Sequence, residues 1–417
     1  MEAFVIEGGV PLTGELRIQG AKNAALPILA ATVLTGGSYT IYDVPHLSDI
    51  EVMLKILTEL GAVCRHEATT VHVDTTGLTS FAVPEELMGQ MRSSIFLMGP
   101  LIARFGEVIL SHPGGCAIGE RRINLHLKGL EALGATITNH DGFIRCSAKQ
   151  LRGGMIFLDY PSVGATENIM MAAVLAKGET ILSNAAREPE IIDLQNFLNQ
   201  LGARVRGAGT DKIIIEGVSA LQAADYQVIP DRIVAGTMML AAAITGGDIT
   251  LRNVNPMHMV ALLDVVKQSG VEIDYEHDII TVKGKRPFHA VERIITAPYP
   301  GFPTDMQAQM MAFLSLADGC SIMKETVFDG RFKHVNELCR LGANLYVDLN
   351  NAFIRGVPHL SGAVVEATDL RAGAALLIAG LAAEGETTVT RIHHIDRGYD
   401  RIEAQLASLG ARIRRQS

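Results

Sequence analysis

Leu57-Thr58-Glu59-Leu60-Gly61-Ala62-Val63-Cys64 ends a stretch of helical periodicity on a glycine and opens a strand, and the phrase returns five more times along the 417 residues. Its counterparts run from Leu130, Leu198, Val266, Leu338 and Leu406, each with glycine in the fifth place. The anchor glycines Gly61, Gly134, Gly202, Gly270, Gly342 and Gly410 stand 68 to 73 residues apart, too regular for chance. The chain therefore reads as six copies of one α/β unit of about 70 residues. A glycine directly after an amphipathic helix suits the left-handed conformation that ends helices. A second series, Gly37, Gly106, Gly178, Gly247, Gly319 and Gly385, precedes the anchors by 23 to 28 residues and is predicted to stop an earlier helix in the same way.

That earlier helix is apolar all round, as in Ala24 to Leu34, Ile169 to Ala176, Ala235 to Ile244 and Ala372 to Ala383, so it has to be enclosed. The later helix is two-faced, with Ile50, Met53, Leu54 and Leu57 opposite Glu51, Lys55 and Glu59, and belongs near the surface. Strands such as Lys212 to Glu216 and Ile279 to Val282 must then cover the enclosed helices from outside. The predicted fold is an α/β (α+β) inside-out barrel in two domains of three units each, helices within and sheets without. The join is expected near Ala223 to Pro230.

Composition narrows the function. The 48% apolar and 19% charged content can bury two cores. A net charge of −9 and a pI near 5.8 argue against a general nucleic-acid or anionic-membrane binder. Apolar runs such as Ala372 to Ala383 fall short of the roughly 18 to 20 residues that span a bilayer. Met1-Glu2-Ala3-Phe4 lacks the basic, then apolar, start of a secretory signal, so a cytoplasmic location is expected. Five scattered cysteines make neither a disulfide framework nor a C-x-x-C metal pair, and reduced thiols are expected.

Polar residues recur where the apolar helices begin. Lys22, Arg92, Ser162, Arg232, Asp305 and Arg371 lie 37 to 42 residues before their anchor glycines, one position repeated six times. A helix start offers free N–H groups and partial positive charge, so several together make an anion receptor. Ser162, Thr304 and Asp369 read equally well as ordinary N-caps. Lys22, Arg92, Arg232 and Arg371 do not, because a cation there opposes the helix dipole unless an anion joins it. A second register holds Arg121, Arg331 and Arg397, 11 to 13 residues before their anchors, whose donor forks suit carboxylate and phosphate. Cys116 lies in the glycine-rich stretch Ser111 to Arg122, where Arg121 and Arg122 favour a reactive thiolate, whereas the other four cysteines sit in apolar strand or helix context. Asp305, behind the stiff Tyr299-Pro300-Gly301-Phe302-Pro303-Thr304, is a candidate general base or a helix cap.

With these residues assembled, the whole chain resembles the UDP-N-acetylglucosamine 1-carboxyvinyltransferases, a family of enolpyruvyl transferases that open peptidoglycan synthesis. The resemblance is carried by Gly20-Ala21-Lys22-Asn23-Ala24-Ala25, Gly114-Gly115-Cys116-Ala117-Ile118-Gly119, Ala185-Ala186-Arg187-Glu188-Pro189-Glu190, Phe302-Pro303-Thr304-Asp305-Met306-Gln307-Ala308-Gln309 and Ile395-Asp396-Arg397-Gly398-Tyr399. It implies domains of residues 21–229 and of residues 1–20 with 230–417, an active site between them, and transfer of enolpyruvate from phosphoenolpyruvate to the 3′-hydroxyl of UDP-N-acetylglucosamine. By the same resemblance Lys22, Arg121 and Arg397 hold the phosphate, with Asn23 beside them, while Arg331 and Arg371 face the carboxylate. Asp305 takes the sugar hydroxyl proton, and Cys116 protonates the methylene carbon or forms a covalent adduct. Asn23, Arg92, Arg121, Arg122, Ile123, Asn124, Leu125, Ser162, Val163, Gly164, Asp305 and Val327 meet the sugar nucleotide. Neither metal nor cofactor is implied, nor any macromolecular partner, and the chain is expected to be a monomer or weak homo-oligomer.

Two positions depart from the family pattern. Many relatives have proline after Arg121 and aspartate two residues on, where this chain has Arg122, Ile123 and Asn124, and Tyr160 stands where lysine is frequent. The alternatives are a shikimate-pathway enolpyruvyl transferase, a non-catalytic sugar-nucleotide-binding paralogue, and a repeat scaffold. The first typically has Gly-Ser-Lys-Ser in place of Gly20 to Asn23 and lacks the cysteine loop. The other two have no need of the full cation set with Cys116 and Asp305.

Overall fold

The computed structural model describes residues 2–111 and 123–416. They form two compact units, each with its own apolar core: one of residues 20–111 and 123–229, the other of residues 2–19 and 230–416. Among the described residues no helix is long and apolar enough to cross a membrane.

One sheet design is used throughout. In the fifth copy the edge strand Arg293–Ile295 runs parallel to Cys320–Lys324, which pairs antiparallel with Asn351–Arg355, itself the partner of Asn344–Asp348. The apolar helix Gln307–Leu314 links the two parallel strands. The third copy repeats the order with Met155–Phe157, Glu179–Ser183, Lys212–Glu216 and Arg204–Arg206. In the second copy the edge strand shrinks to one parallel bridge, Ala82 to Ile109. The sixth copy completes its hairpin with the first strand of the chain, Ala3–Glu7, paired to Arg412–Gln416.

The first and fourth copies exchange their edge strands. Thr13–Arg17, which leads into the helix Lys22–Ala31, pairs with Asp248–Arg252, and Tyr226–Gln227, which leads into Arg232–Thr245, pairs with Ser38–Tyr42. Because of this exchange, together with Ala3–Glu7 closing the sixth sheet, residues 2–19 pack with the C-terminal half.

Burial follows the period of each element. All thirteen residues of Leu370–Ala382 are buried, and in Lys212–Glu216 the side chains of Ile213 and Ile215 turn inward while Lys212 and Glu216 stay in water. The surface helix Ser48–Glu59 buries Ile50, Met53, Ile56 and Leu57 and exposes Glu51, Lys55 and Glu59. The six anchor glycines have φ between 89° and 107°. Gly61 donates its N–H to Thr58 and Ala62 to Leu57, the paired bonds that cap a helix through a left-handed residue, and four further copies repeat both bonds.

Two expectations are corrected. In the turn series only Gly106 directly caps its apolar helix, and in the fourth copy the left-handed residue is Gly246, at φ 69°, in place of Gly247. Gly247 is small for another reason, since a Cβ there would stand 2.2 Å from the Leu12 carbonyl oxygen. Nor do all four of the other cysteines lie in apolar surroundings. Cys146 is buried and Cys64 half-buried, but Cys320 and Cys339 are exposed, one on the outward face of a strand and the other on the solvent side of the helix His334–Arg340.

Candidate active site

In the unit containing residues 230–416, the approach Tyr299 to Pro303 delivers the chain into a short 3-10 turn, Thr304–Met306, at the head of Gln307–Leu314. Asp305 stands in that turn. Its Oδ1 accepts from Arg331 Nη2 at 2.8 Å and its Oδ2 from Arg371 Nη2 at 2.7 Å, both guanidiniums being almost wholly buried. One carboxylate thus bridges two arginines from different repeats, a charge-assisted arrangement suited to a planar anion. Burial opposes the Arg371 charge, but Asp305, with Tyr399 and Asp231, more than compensates and lifts Arg371 above the ordinary arginine range.

The neighbouring groups fix this geometry. Arg331 Nη1 donates to Thr304 Oγ1 at 2.7 Å, its guanidinium lies over the Phe328 ring, and its carbonyl accepts from Gln307 Nε2. Asp369 caps Leu370–Ala382 by accepting from the Arg371 and Ala372 N–H groups, and Asp231 caps Arg232–Thr245 likewise. The buried Tyr399 hydroxyl shares a 2.9 Å bond with Thr237, and Gln309 approaches both. His334 is pushed down to about 4 by burial, against Asp369 and with Arg331. His394 is also pushed down to about 4, by burial and then His393, Arg391 and Arg397, with Asp369 opposing. Arg397 is half-buried, and Val327 is half-buried with its N–H donated to Glu325. Arg232 lies over the Tyr299 ring.

The other unit presents Lys22 as the first residue of Lys22–Ala31, with Asn23 beside it. Lys22 is buried and pairs with Asp49 at 3.1 Å. Ser162 caps Val163–Ala173 through the Ala165 N–H, and Gly164 lies so close to Phe96 and His126 that a Cβ would stand 3.1 Å from each ring. Arg92 opens the turn Arg92–Leu97. It adds to burial in pushing His126 down to about 3. Ile123 and Leu125 pack partly into the core, whereas Asn124, at the head of Asn124–Ala132, is exposed, as is Tyr160. Cys116, Arg121 and Arg122 lie outside the described residues.

The three residues that read equally well as caps are separated by these contacts. Ser162 and Asp369 cap their helices, while the Thr304 hydroxyl is spent on Glu325 and Arg331. The requirement that a cation at a helix start have an anionic partner is met internally, by Asp49 at Lys22 and by Asp305 at Arg371. Sequence reasoning missed Asp49 and Glu325. Asp49 left a signal, an acid four residues before Met53 on the apolar face of its helix, but Glu325 follows a strand with nothing in its spacing to mark it. Among the described residues no group of three or more His, Cys, Asp or Glu is arranged to hold a metal ion.

Six repeated sheets over enclosed helices, with Lys22 and Arg371 at helix starts held by Asp49 and Asp305, define the class of this fold, an α/β architecture of six copies. Its architecture is similar to that of the enolpyruvyl transferase NikO from Streptomyces tendae, with a TM-score of 0.90 and 26% identity over 100% of this chain and 99% of that one. The fold is also that of EPSP synthase from Acinetobacter baumannii, with a TM-score of 0.79 over the full length of both chains. The chain belongs to the EPSP synthase (3-phosphoshikimate 1-carboxyvinyltransferase) family, whose signature matches residues 6–406. It is 52% identical over 413 residues to the UDP-N-acetylglucosamine 1-carboxyvinyltransferase of Geotalea uraniireducens, covering 99% of each. It is 53% identical over 419 residues to the UDP-N-acetylglucosamine 1-carboxyvinyltransferase 2 of Carboxydothermus hydrogenoformans, covering 100% of each.

Proposed function

We propose that this chain transfers the enolpyruvyl group of phosphoenolpyruvate to the 3′-hydroxyl of UDP-N-acetylglucosamine and releases phosphate, the first committed step of peptidoglycan synthesis. That role ties it to cell-wall biogenesis, cell shape and division, and to the cytoplasm. The observation that carries the reading is the Asp305 carboxylate gripped by Arg331 and Arg371. The two arginines already hold one planar carboxylate, that of the candidate base, and this supports reading them as the receptor for the substrate's carboxylate. Identity near 50% to enzymes named for this reaction, over their full length, supports the same choice of acceptor.

In the reaction the carboxylate of phosphoenolpyruvate takes Arg331 and Arg371, and its phosphate takes Lys22, Arg121 and Arg397. The exchange frees an Asp305 oxygen to accept the proton of the 3′-hydroxyl as the hydroxyl oxygen bonds to C2. Cys116 delivers a proton to the C3 methylene, giving a tetrahedral adduct. A C3 proton then returns to the Cys116 thiolate, restoring the double bond as the C2–O bond to phosphate breaks, and inorganic phosphate leaves. Cationic character develops at C2 beside two anionic groups, so fixed guanidinium and ammonium charges both orient the reagent and stabilise the departing phosphate. Asn23, Arg92, Ser162, Val163, Gly164, Val327 and the segment Arg121 to Leu125 form the sugar-nucleotide subsite of this reading.

Phosphate release is measured with phosphoenolpyruvate and UDP-N-acetylglucosamine singly and together, and with shikimate 3-phosphate as the alternative acceptor. Release that needs both of the first pair supports the proposal. Release with shikimate 3-phosphate instead reassigns the acceptor, and no release in any mixture refutes the transfer.

A further inference from the structure

Glu325 follows the strand Cys320–Lys324 and is buried, at 2% exposure, yet both its oxygens are hydrogen-bonded. Oε1 accepts from Thr296 Oγ1 at 2.8 Å, from the Val327 N–H at 2.7 Å and from the Phe328 N–H at 3.2 Å. Oε2 accepts from Thr304 Oγ1 at 2.8 Å. The Thr304 hydroxyl, its proton committed to Glu325, then offers a lone pair to Arg331 Nη1 at 2.7 Å. Thr304 adjoins Asp305, which Arg331 grips with its other terminal nitrogen. A single carboxylate therefore holds three pieces of chain: the end of the edge strand at Thr296, the turn bearing Thr304 and Asp305, and the loop from Val327 to Arg331.

We infer that Glu325 is a positioning residue that sets Arg331 and Asp305 in register through the Thr304 hydroxyl. The role rests on the proposed enolpyruvyl transfer. The direction of the bonds explains why a carboxylate is needed. As an obligate acceptor it forces the Thr304 proton away from Arg331, so the guanidinium meets a lone pair. In Glu325→Gln an amide placed toward Thr304 turns that hydrogen bond round and leaves the hydroxyl proton facing a cation. The Oε1 arm, which receives two backbone N–H groups, keeps its acceptor in that variant.

The test is a double-mutant cycle in the full-length protein, read as phosphate release with both substrates and as thermal midpoint. Thr304→Ser keeps the hydroxyl and is expected to stay within about threefold of wild type. Thr304→Val and Glu325→Gln are each expected to lose roughly 10- to 100-fold in kcat/KM for phosphoenolpyruvate, as fits a hydrogen bond to a charged group. Their loss should include a rise in KM for phosphoenolpyruvate that exceeds any rise for UDP-N-acetylglucosamine. The double variant should fall no more than about threefold below the worse single, because both sever one relay. Losses that multiply, Thr304→Val at wild-type kinetics, or equal rises in both KM values overturn the role. If Glu325→Gln fails to fold, the Thr304→Val and Thr304→Ser pair decides the question alone. A wild-type chain that releases no phosphate sinks the functional reading and this role with it, whereas an active wild type with multiplying losses sinks this role only.

Discussion

Replacing Asp305 with alanine should destabilise the empty protein and make it newly responsive to phosphoenolpyruvate. Asp305 is 24% exposed in its side chain, against 6% for Arg331 and 8% for Arg371, so its removal leaves two nearly buried guanidiniums facing one another. Removing one partner of a buried ion pair costs about 3 to 5 kcal/mol. Two unit charges ~6 Å apart at an effective dielectric of ~20 repel by nearly 3 kcal/mol. Water entering through the quarter-exposed carboxylate site returns part of this, so the expected net loss is about 2 to 3 kcal/mol. For a unit of this size that lowers the unfolding midpoint by roughly 5 to 10 °C. On the proposed reading the carboxylate of phosphoenolpyruvate takes the vacated place, so this substrate should recover most of the loss and should stabilise Asp305→Ala more than wild type, where it must displace the internal carboxylate. Thermal unfolding of both proteins with and without phosphoenolpyruvate reads this directly. A variant melting within a degree of wild type, or equal stabilisation of the two, refutes the idea that Asp305 and the substrate carboxylate compete for one pair of arginines.

Asp305→Asn should bind both substrates but turn over poorly, and normal turnover in steady-state kinetics would remove Asp305 as the base. In the other unit, Asp193 is raised to about 7 by burial, against the Tyr226 hydroxyl and Ile229 N–H, with Glu190 adding to the rise. The folded state therefore holds this proton more tightly than the unfolded chain, so the contribution of Asp193 is fully present below about pH 4 and is lost as pH climbs through about 7. Asp193→Asn should accordingly gain about 2 to 3 kcal/mol relative to wild type between pH 5 and pH 8 in urea unfolding, and a pH-independent difference contradicts this. Asn168→Leu strips the fully buried Gly99 N–H, Ile95 carbonyl and His126 Nδ1 of their common partner, and chemical denaturation should show a loss of about 3 kcal/mol or more. Gly99→Ala should lose more than Gly134→Ala: the first puts a Cβ 2.3 Å from the Asn168 carbonyl oxygen, while the second, at φ 91° with nothing within 4 Å, meets only backbone strain of about 1 kcal/mol.

The repeat was legible because helix-stopping glycines and a 3.6-residue apolar period are local signals, and all six anchors adopt the left-handed conformation those signals demand. The helix starts were legible for the same reason, with Lys22, Arg92 and Arg232 each opening a helix or turn and Arg371 second in its helix. Strand exchange was not. Pairing Thr13–Arg17 with Asp248–Arg252 depends on an encounter more than 200 residues away along the chain, and the strand itself is short and largely polar. Choosing between Gly246 and Gly247 required knowing that Leu12 presses on the second. The spacing reads the cations as anion receptors, but Asp49 pairs with Lys22 and Asp305 with both Arg331 and Arg371, contacts no spacing within one repeat discloses. Glu167, fully buried with both oxygens lacking partners, was equally invisible. Burial and then the neighbouring Glu190 and Glu188 hold its carboxyl well above the usual range, and nothing in Thr166-Glu167-Asn168 distinguishes it from a surface acid.

The most direct measurement is a crystal structure of the protein with UDP-N-acetylglucosamine and phosphoenolpyruvate trapped together. It is predicted to have nitrogens of Lys22, Arg121 and Arg397 at charge-assisted hydrogen-bond distance, about 2.7 to 2.9 Å, from oxygens of one phosphate, with the substrate carboxylate on Arg331 and Arg371 and Asp305 turned to the sugar hydroxyl. A phosphate bound without those three cations, or Asp305 still bridging both arginines in the filled site, would contradict the account.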